Sequence, residues 1–142
     1  MKRTLAFAAA ISAAAGAWAK DAQHPRFRWP VIGQIDQARD GRGVDIAVPQ
    51  GEAVHAAADG TVIYASDQIA SYGRMIVIRH ANDYVTTYAH LSDMAVTPGV
   101  AVKRGQIIGK TGKTGDARRP ELRFELRRGE TELDPIGFLK PR

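Results

Sequence analysis

Glu121-Leu122-Arg123-Phe124-Glu125-Leu126-Arg127-Arg128 alternates charged and apolar residues with a period of two. Successive side chains of a strand point to opposite faces, so Leu122, Phe124 and Leu126 share one face while Glu121, Arg123, Glu125 and Arg127 share the other. The apolar face belongs to a core, and the charged face is expected to turn outward. Upstream, residues 44–48, 61–65, 75–80, 84–91 and 106–110 are similarly short and rich in Val, Ile, Tyr and Thr, with Gly, Pro and Asp/Asn turns between them. His80-Ala81-Asn82-Asp83-Tyr84 fits a tight hairpin, and outside the first residues no stretch of ten or more shows a helical period. The expected fold is all-β, an antiparallel sandwich or barrel-sandwich hybrid with short loops and no long helix.

An internal repeat points the same way. Pro49-Gln50-Gly51-Glu52-Ala53-Val54, leading to Gly60-Thr61-Val62-Ile63, resembles Pro98-Gly99-Val100-Ala101-Val102, leading to Gly105-Gln106-Ile107-Ile108. Each copy reads as a turn, a short strand, a second glycine turn and a strand, so two related units should fold on each other.

With 142 residues and 44% hydrophobic content the chain suits one small globular domain. Met1-Lys2-Arg3, the apolar run from Thr4 to Ala15 and Ala17-Trp18-Ala19 have the charged start, short apolar stretch and A-x-A end of a secretory signal peptide. Residues 1–19 are therefore expected to be removed near Ala19, residues 20–26 to form a polar leader, and residues 27–142 to form the domain. The apolar run is short of the roughly 20 residues a bilayer span needs, so no permanent membrane span is expected. The destination is periplasmic or secreted. The chain has no cysteine, which excludes a disulfide, a thiolate ligand and a lipid-modified cysteine. Its formal charge of +5 is carried by residues scattered among acids, without the aromatic-plus-basic pattern of nucleic-acid modules. No nucleic-acid partner is expected.

A hydrolytic zinc site without cysteine needs three His or carboxylate donors and an open fourth position. The four histidines are His24, His55, His80 and His90, and none forms an H-x-H or H-E-x-x-H pair. His24, His55 and His80 read as structural. His90 stands apart because of its context, Tyr88-Ala89-His90-Leu91 after the hairpin.

That context, with Gly41-Arg42-Gly43-Val44-Asp45-Ile46-Ala47-Val48-Pro49 and Glu121-Leu122-Arg123-Phe124-Glu125, resembles the lysostaphin/LytM-type zinc peptidases. Phe27-Arg28-Trp29-Pro30-Val31-x-Gly33, Ala56-Ala57-Ala58-Asp59-Gly60-Thr61-Val62, Gly105-Gln106-Ile107-Ile108-Gly109 and Asp134-Pro135-x-x-Phe138-Leu139 extend the resemblance over nearly all of residues 27–139. In that family Asp45 would be a zinc ligand, and His90 and Glu121 would stand at the catalytic positions. Gly41 and Arg123 would replace the two ligand histidines. The resemblance thus implies a domain without its metal or cofactor, whose catalytic positions are vestigial.

A guanidinium beside a bound cation is repelled strongly in a partly desolvated groove. We expect Arg123 either to occupy the vacated position and pair with Asp45, or to lie solvated on its strand. Family members that have lost zinc ligands resemble envelope factors that bind and activate N-acetylmuramoyl-L-alanine amidases. A groove of Tyr72, Tyr88, His90, Glu121, Arg123 and Arg127 would offer aromatic anchors and alternating charges to such a cell-wall amidase. Peptidoglycan binding by the same groove and zinc endopeptidase activity with atypical ligands are the alternatives. The LysM module or coiled coil common in such activators is not expected ahead of residue 27.

Overall fold

The computed structural model describes residues 25–38 and 40–139. The expected signal peptide, its expected cleavage near Ala19, the start of the expected leader and His24 lie outside the described residues. Ten strands follow one another: β1 (Gln34–Gln37), β2 (Val44–Ala47), β3 (Ala53–His55), β4 (Gly60–Ser66), β5 (Arg74–Arg79), β6 (Tyr84–Met94), β7 (Ala101–Val102), β8 (Ile107–Thr111), β9 (Glu121–Arg128) and β10 (Thr131–Leu133). Two short 3₁₀ turns, Ala81–Asp83 and Pro135–Gly137, are the helical segments among the described residues. No helix there is long and apolar enough to cross a membrane.

The main sheet runs β1-β2-β9-β6-β5-β4-β7, with β10 along β9, and every strand pair is antiparallel. The long β6 leaves its neighbours at its end, where Leu91–Met94 pairs with β8, and β8 pairs in turn with β3. This bent, open arrangement packs its layers around Val44, Ile46, Ile76, Ile78, Tyr88, Leu122, Phe124 and Leu126, with Phe27, Trp29 and Val31 closing the core from the entering chain. The expected all-β architecture is present. β9 matches its expected bounds to the residue, and β1 and β10 add edge strands too short and polar to stand out by period.

The repeat has a structural counterpart. The short strand β3 of the first copy pairs with β8 of the second, and the short strand β7 of the second pairs with β4 of the first. Gly51 and Gly99 open the two copies with φ of 92° each, a left-handed conformation glycine adopts at low cost. Their N–H groups donate to the carbonyls of Thr111 and Val62 respectively. The units are swapped against each other, and each supplies the other's missing edge.

The hairpin at 80–84 is closed by the 3₁₀ turn, with Asn82 and Asp83 at positive φ and the His80 N–H bonded to the Tyr84 carbonyl at 2.7 Å. His80 is structural, as its context indicated. Its ring bridges the Asp59 carbonyl and Thr86 Oγ1. Burial, its largest influence, pulls its pKa below the ordinary imidazole value.

Candidate functional site

The side of the sheet opposite the main core carries the charges. Register places Asp45 of β2 directly opposite Arg123 of β9, and Arg123 opposite Ala89 of β6. Directly paired residues project to the same face. Asp45, Arg123 and Ala89 therefore form a row, with Glu121 and Glu125 one pleat away on either side. A small apolar cluster of Met75, Val77, Val85 and Ala89, joined by Tyr64 and Tyr72, flanks that row.

This charged face does not turn outward as its alternation suggested. Glu121, Arg123 and Glu125 are 7%, 8% and 6% exposed. Asp40, Tyr72 and Arg119, from the turns beside them, bond to them, and burial becomes tolerable because the charges satisfy one another. Arg123 Nε donates to Asp45 Oδ1 at 3.1 Å, and its NH1 donates at 3.1 Å to both Asp40 Oδ2 and Glu125 Oε2. The Tyr72 hydroxyl donates to the same Glu125 oxygen at 2.6 Å, and the guanidinium lies 5.7 Å from the Tyr72 ring centroid. Of the two expectations for Arg123, the pair with Asp45 is the one realised. Its pKa rises further above the arginine range because these carboxylates outweigh the larger single effect, desolvation.

His90 reaches this face through a break in β6. Arg74 pairs with Leu91 but Ile76 with Tyr88, so β6 carries one extra residue between those pairs, which is a β-bulge. His90 sits in it at φ 64°, an uncommon conformation in which histidine is enriched. Its Nδ1 lies 2.8 Å from the Thr114 carbonyl, and its backbone N–H bonds to the Tyr72 carbonyl. A carbonyl only accepts, so Nδ1 carries a hydrogen and Nε2 faces the site. Nε2 lies 3.7 Å from Glu121 Oε2 and 3.7 Å from Asp116 Oδ1. Arg119 holds the other Glu121 oxygen at 3.2 Å and also binds Asp36 on β1.

The bulge corrects one expected groove residue. Tyr88 pairs with Phe124 and shares its core face, is fully buried, and packs on the Phe124 ring with centroids 5.4 Å apart. Its hydroxyl accepts from the Ala57 N–H and bonds Thr86 Oγ1. It lies on the other side of the sheet from Arg123 and cannot touch a partner there. Tyr72, His90, Glu121 and Arg123 do come together, while Arg127 lies further along the same face of β9, bordering a recess of about 410 Å³ with Arg42, Gly129, Glu130 and Glu132. Asp40, Thr114, Asp116 and Arg119 join the site from turns that gave no periodic signal.

Tyr72 titrates late. Burial first, and then its bond to Glu125, push its pKa to about 12. The unfolded value is 10.0, so the folded form keeps a proton that the unfolded form has lost between those values. The contribution is full below pH 10 and is lost as pH rises through about 12. Ultraviolet titration of Tyr72→Phe should lose one late-ionising phenol, leaving Tyr88, also raised to about 12 by burial. Two late phenols persisting in that variant would contradict the assignment.

The sequence pattern of Peptidase family M23 matches residues 39–135. The chain belongs to peptidase family M23. It is 40% identical over 118 residues to the uncharacterized lipoprotein YgeR of Escherichia coli, covering 80% of this chain and 47% of that protein. It is 38% identical over 121 residues to the murein hydrolase activator NlpD of Escherichia coli, covering 82% and 32%. A putative M23 peptidase of Pseudomonas aeruginosa superposes with a TM-score of 0.75 at 31% identity, covering 80% of this chain and 49% of that one. The chain thus spans less than half the length of these curated relatives.

The M23 fold implies a zinc ion, and the residues at the family's ligand positions do not fit one. Gly41 offers no side-chain donor, is exposed, and has φ 77°, where any L side chain would be strained. Arg123 brings a permanent positive charge to the second ligand position and occupies one oxygen of Asp45, the remaining M23 ligand. One carboxylate already paired with a guanidinium does not make a hydrolytic zinc centre. At those positions the M23 frame carries a glycine and a guanidinium paired with Asp45.

Proposed function

We propose that this chain is a non-catalytic M23-domain regulator of peptidoglycan hydrolysis, acting in the cell envelope after removal of residues 1–19. It binds an N-acetylmuramoyl-L-alanine amidase at the rim of this site, through Tyr72 and Arg127 above the buried His90, Glu121 and Arg123, and activates it by favouring the amidase's open form. The observation that carries this reading is the Arg123 guanidinium fixed by Asp45, Asp40 and Glu125, at the position that the family resemblance gives to a zinc-binding histidine. Such a cluster preserves the shape of a cleft without supplying a Lewis acid or a metal-bound nucleophile. The similarity to a murein hydrolase activator supports the same role. To shift an amidase toward activity, the protein must bind the open form better than the closed one.

The test adds purified protein to each cell-wall amidase of the source organism and follows solubilisation of labelled sacculi. Stimulation of one amidase is expected, with no release by this protein alone. Arg127→Glu, a reversal at the half-buried rim of the site, should abolish stimulation while leaving the circular dichroism unchanged. Unchanged activity of every amidase would refute the proposal, and release of muropeptides by the protein alone would refute its non-catalytic part.

A further inference from the structure

The face of the molecule opposite the Arg123 site is built from β3, β8 and the entering segment 27–33. Val54 and Ile108 of those strands are fully buried in the main core, and neighbouring residues of a strand point to opposite sides. Register pairs Ala53 with Lys110 and His55 with Ile107, and paired residues share a face. These four therefore project outward, with the core between them and Arg123. The turn before β8 adds Lys103 and Arg104, both exposed, and the entering segment adds Arg28 and Ile32. Arg104 Nε donates to the Arg26 carbonyl at 2.8 Å, and Arg28 Nε to the Trp29 carbonyl at 3.3 Å.

Cations scattered along the sequence are thus gathered on one surface, and their charge is not spent within the protein. Among the described residues no carboxylate pairs with Arg28, Lys103, Arg104 or Lys110, whereas Arg119 and Arg123 on the other side are each engaged by at least two carboxylates. Two acids border the face, Glu52 and Asp59, and Asp59 Oδ1 is already held by the Arg104 backbone N–H at 2.7 Å. Four cations against two acids leave a positive excess. Set among them, Ile32 is 69% and Ile107 53% exposed. Both adjoin His55: Ile107 is its cross-strand partner, and Ile32 shares with it an open recess of about 340 Å³ that Arg28, Val31, Glu52 and Ala53 complete. One exposed isoleucine is ordinary; two beside unpaired cations form an amphipathic surface.

An anionic polymer would match the cations and leave the isoleucines in water, while an apolar protein partner would strip water from charges it could not pair. The surface of an anionic bilayer supplies both counterparts, phosphates for the guanidinium and ammonium groups and an apolar boundary just beneath them. Long basic side chains reach such phosphates while their stems lie along apolar surface. We infer that this face docks peripherally on an anionic phospholipid bilayer, with Ile32 and Ile107 entering the headgroup boundary and Arg28, Lys103, Arg104 and Lys110 binding lipid phosphates. Docked in this way, the domain turns the Arg123 site away from the membrane.

Flotation of the full chain with vesicles of phosphatidylglycerol and phosphatidylcholine in equal parts, with no amidase present, tests this independently of the activator role. Saturable binding is expected, at least about tenfold tighter than to phosphatidylcholine alone, and weakening as salt is raised. Lys103→Glu and Arg127→Glu make the same change in net charge on opposite faces. The first should weaken binding about tenfold or more and the second less than about twofold, since one basic residue near an anionic leaflet is worth roughly fivefold. Ile32→Ser combined with Ile107→Ser should weaken binding about tenfold. All variants share residues 1–26, so any contribution of the amino terminus cancels in the comparison, and the exposed positions leave the circular dichroism unchanged. Equal losses from Lys103→Glu and Arg127→Glu would show a response to net charge alone. Full binding by the double isoleucine variant would assign the face to an anionic polymer, and no binding to either vesicle would assign it to a protein partner; each of these three results overturns the inference.

Discussion

Arg123→Ala should destabilise the protein by roughly 3–5 kcal/mol, because removing one member of a buried ionic cluster leaves its partners charged and uncompensated. Asp45 and Glu125, themselves buried, would each lose a charge-assisted hydrogen bond of 3.1 Å. Had the side chain been solvated, the cost would be under about 1 kcal/mol. Urea unfolding of Arg123→Ala, Asp45→Ala and the double variant separates the two cases. Residues in one network should show a coupling of about 0.5–3 kcal/mol, the double variant losing less than the summed singles. Strict additivity would mean the pair contributes nothing specific. Arg123→Met should be milder than Arg123→Asp, since the first leaves three carboxylates unpaired while the second adds a fourth anion to them.

How the sequence encodes this cluster explains which parts of it could be read in advance. Strand β9 was legible because its two faces differ in chemistry at every step, and Leu122, Phe124 and Leu126 do enter the core. Alternation separates two faces but does not say whether the polar one meets water. Here it meets loop residues, and the loops' contributions, Asp40, Thr114, Asp116 and Arg119, follow no period. The pairing of Arg123 with Asp45 was accessible as a possibility because both occupy family ligand positions, while its burial depends on Asp40 and Tyr72, which arrive from distant turns.

Tyr88 and His90 illustrate the converse. Two residues apart on a strand they belong to one face, and a groove containing both was the natural reading. The bulge in β6 inserts one residue between them, so the tyrosine stays with Phe124 while the histidine crosses to Glu121. Bulges often announce themselves with glycine, but this one holds Ala89-His90 with the histidine itself left-handed. Its stabilising contacts, to the Tyr72 and Thr114 carbonyls, come from elsewhere in the chain. The functional side chain is aimed by tertiary contacts and not by its own neighbourhood.

Those contacts depend on two glycines, and Gly115→Ala should undo them. Gly115 has φ 72°, and a Cβ there would lie 2.5 Å from the Ser71 carbonyl oxygen and 2.7 Å from the Gly73 nitrogen. Gly73, at φ 65°, approaches the same segment from the other side, its Cβ position 2.5 Å from the Gly115 nitrogen. Left-handed backbone costs an L residue roughly 1–2 kcal/mol and overpacking roughly 1–3 kcal/mol more, so a loss of about 2–5 kcal/mol is expected. The obstructing atoms are backbone, and relief must therefore come from separating segment 112–120 from segment 66–73. That separation would part Tyr72 from Glu125, and the Thr114 carbonyl from His90. Hydrogen exchange should then show faster exchange at His90 and Asp116, whose N–H groups bond to the Tyr72 and Ser71 carbonyls of segment 66–73, with the Leu122–Leu126 amides still protected. Gly129→Ala is the control for the backbone term, because Gly129 has φ 58° with open space around its Cβ position. If Gly115→Ala costs no more than Gly129→Ala, the close approach of the two segments does not hold the site together; if it costs more and exchange accelerates at His90, the glycine pair sets the histidine's aim.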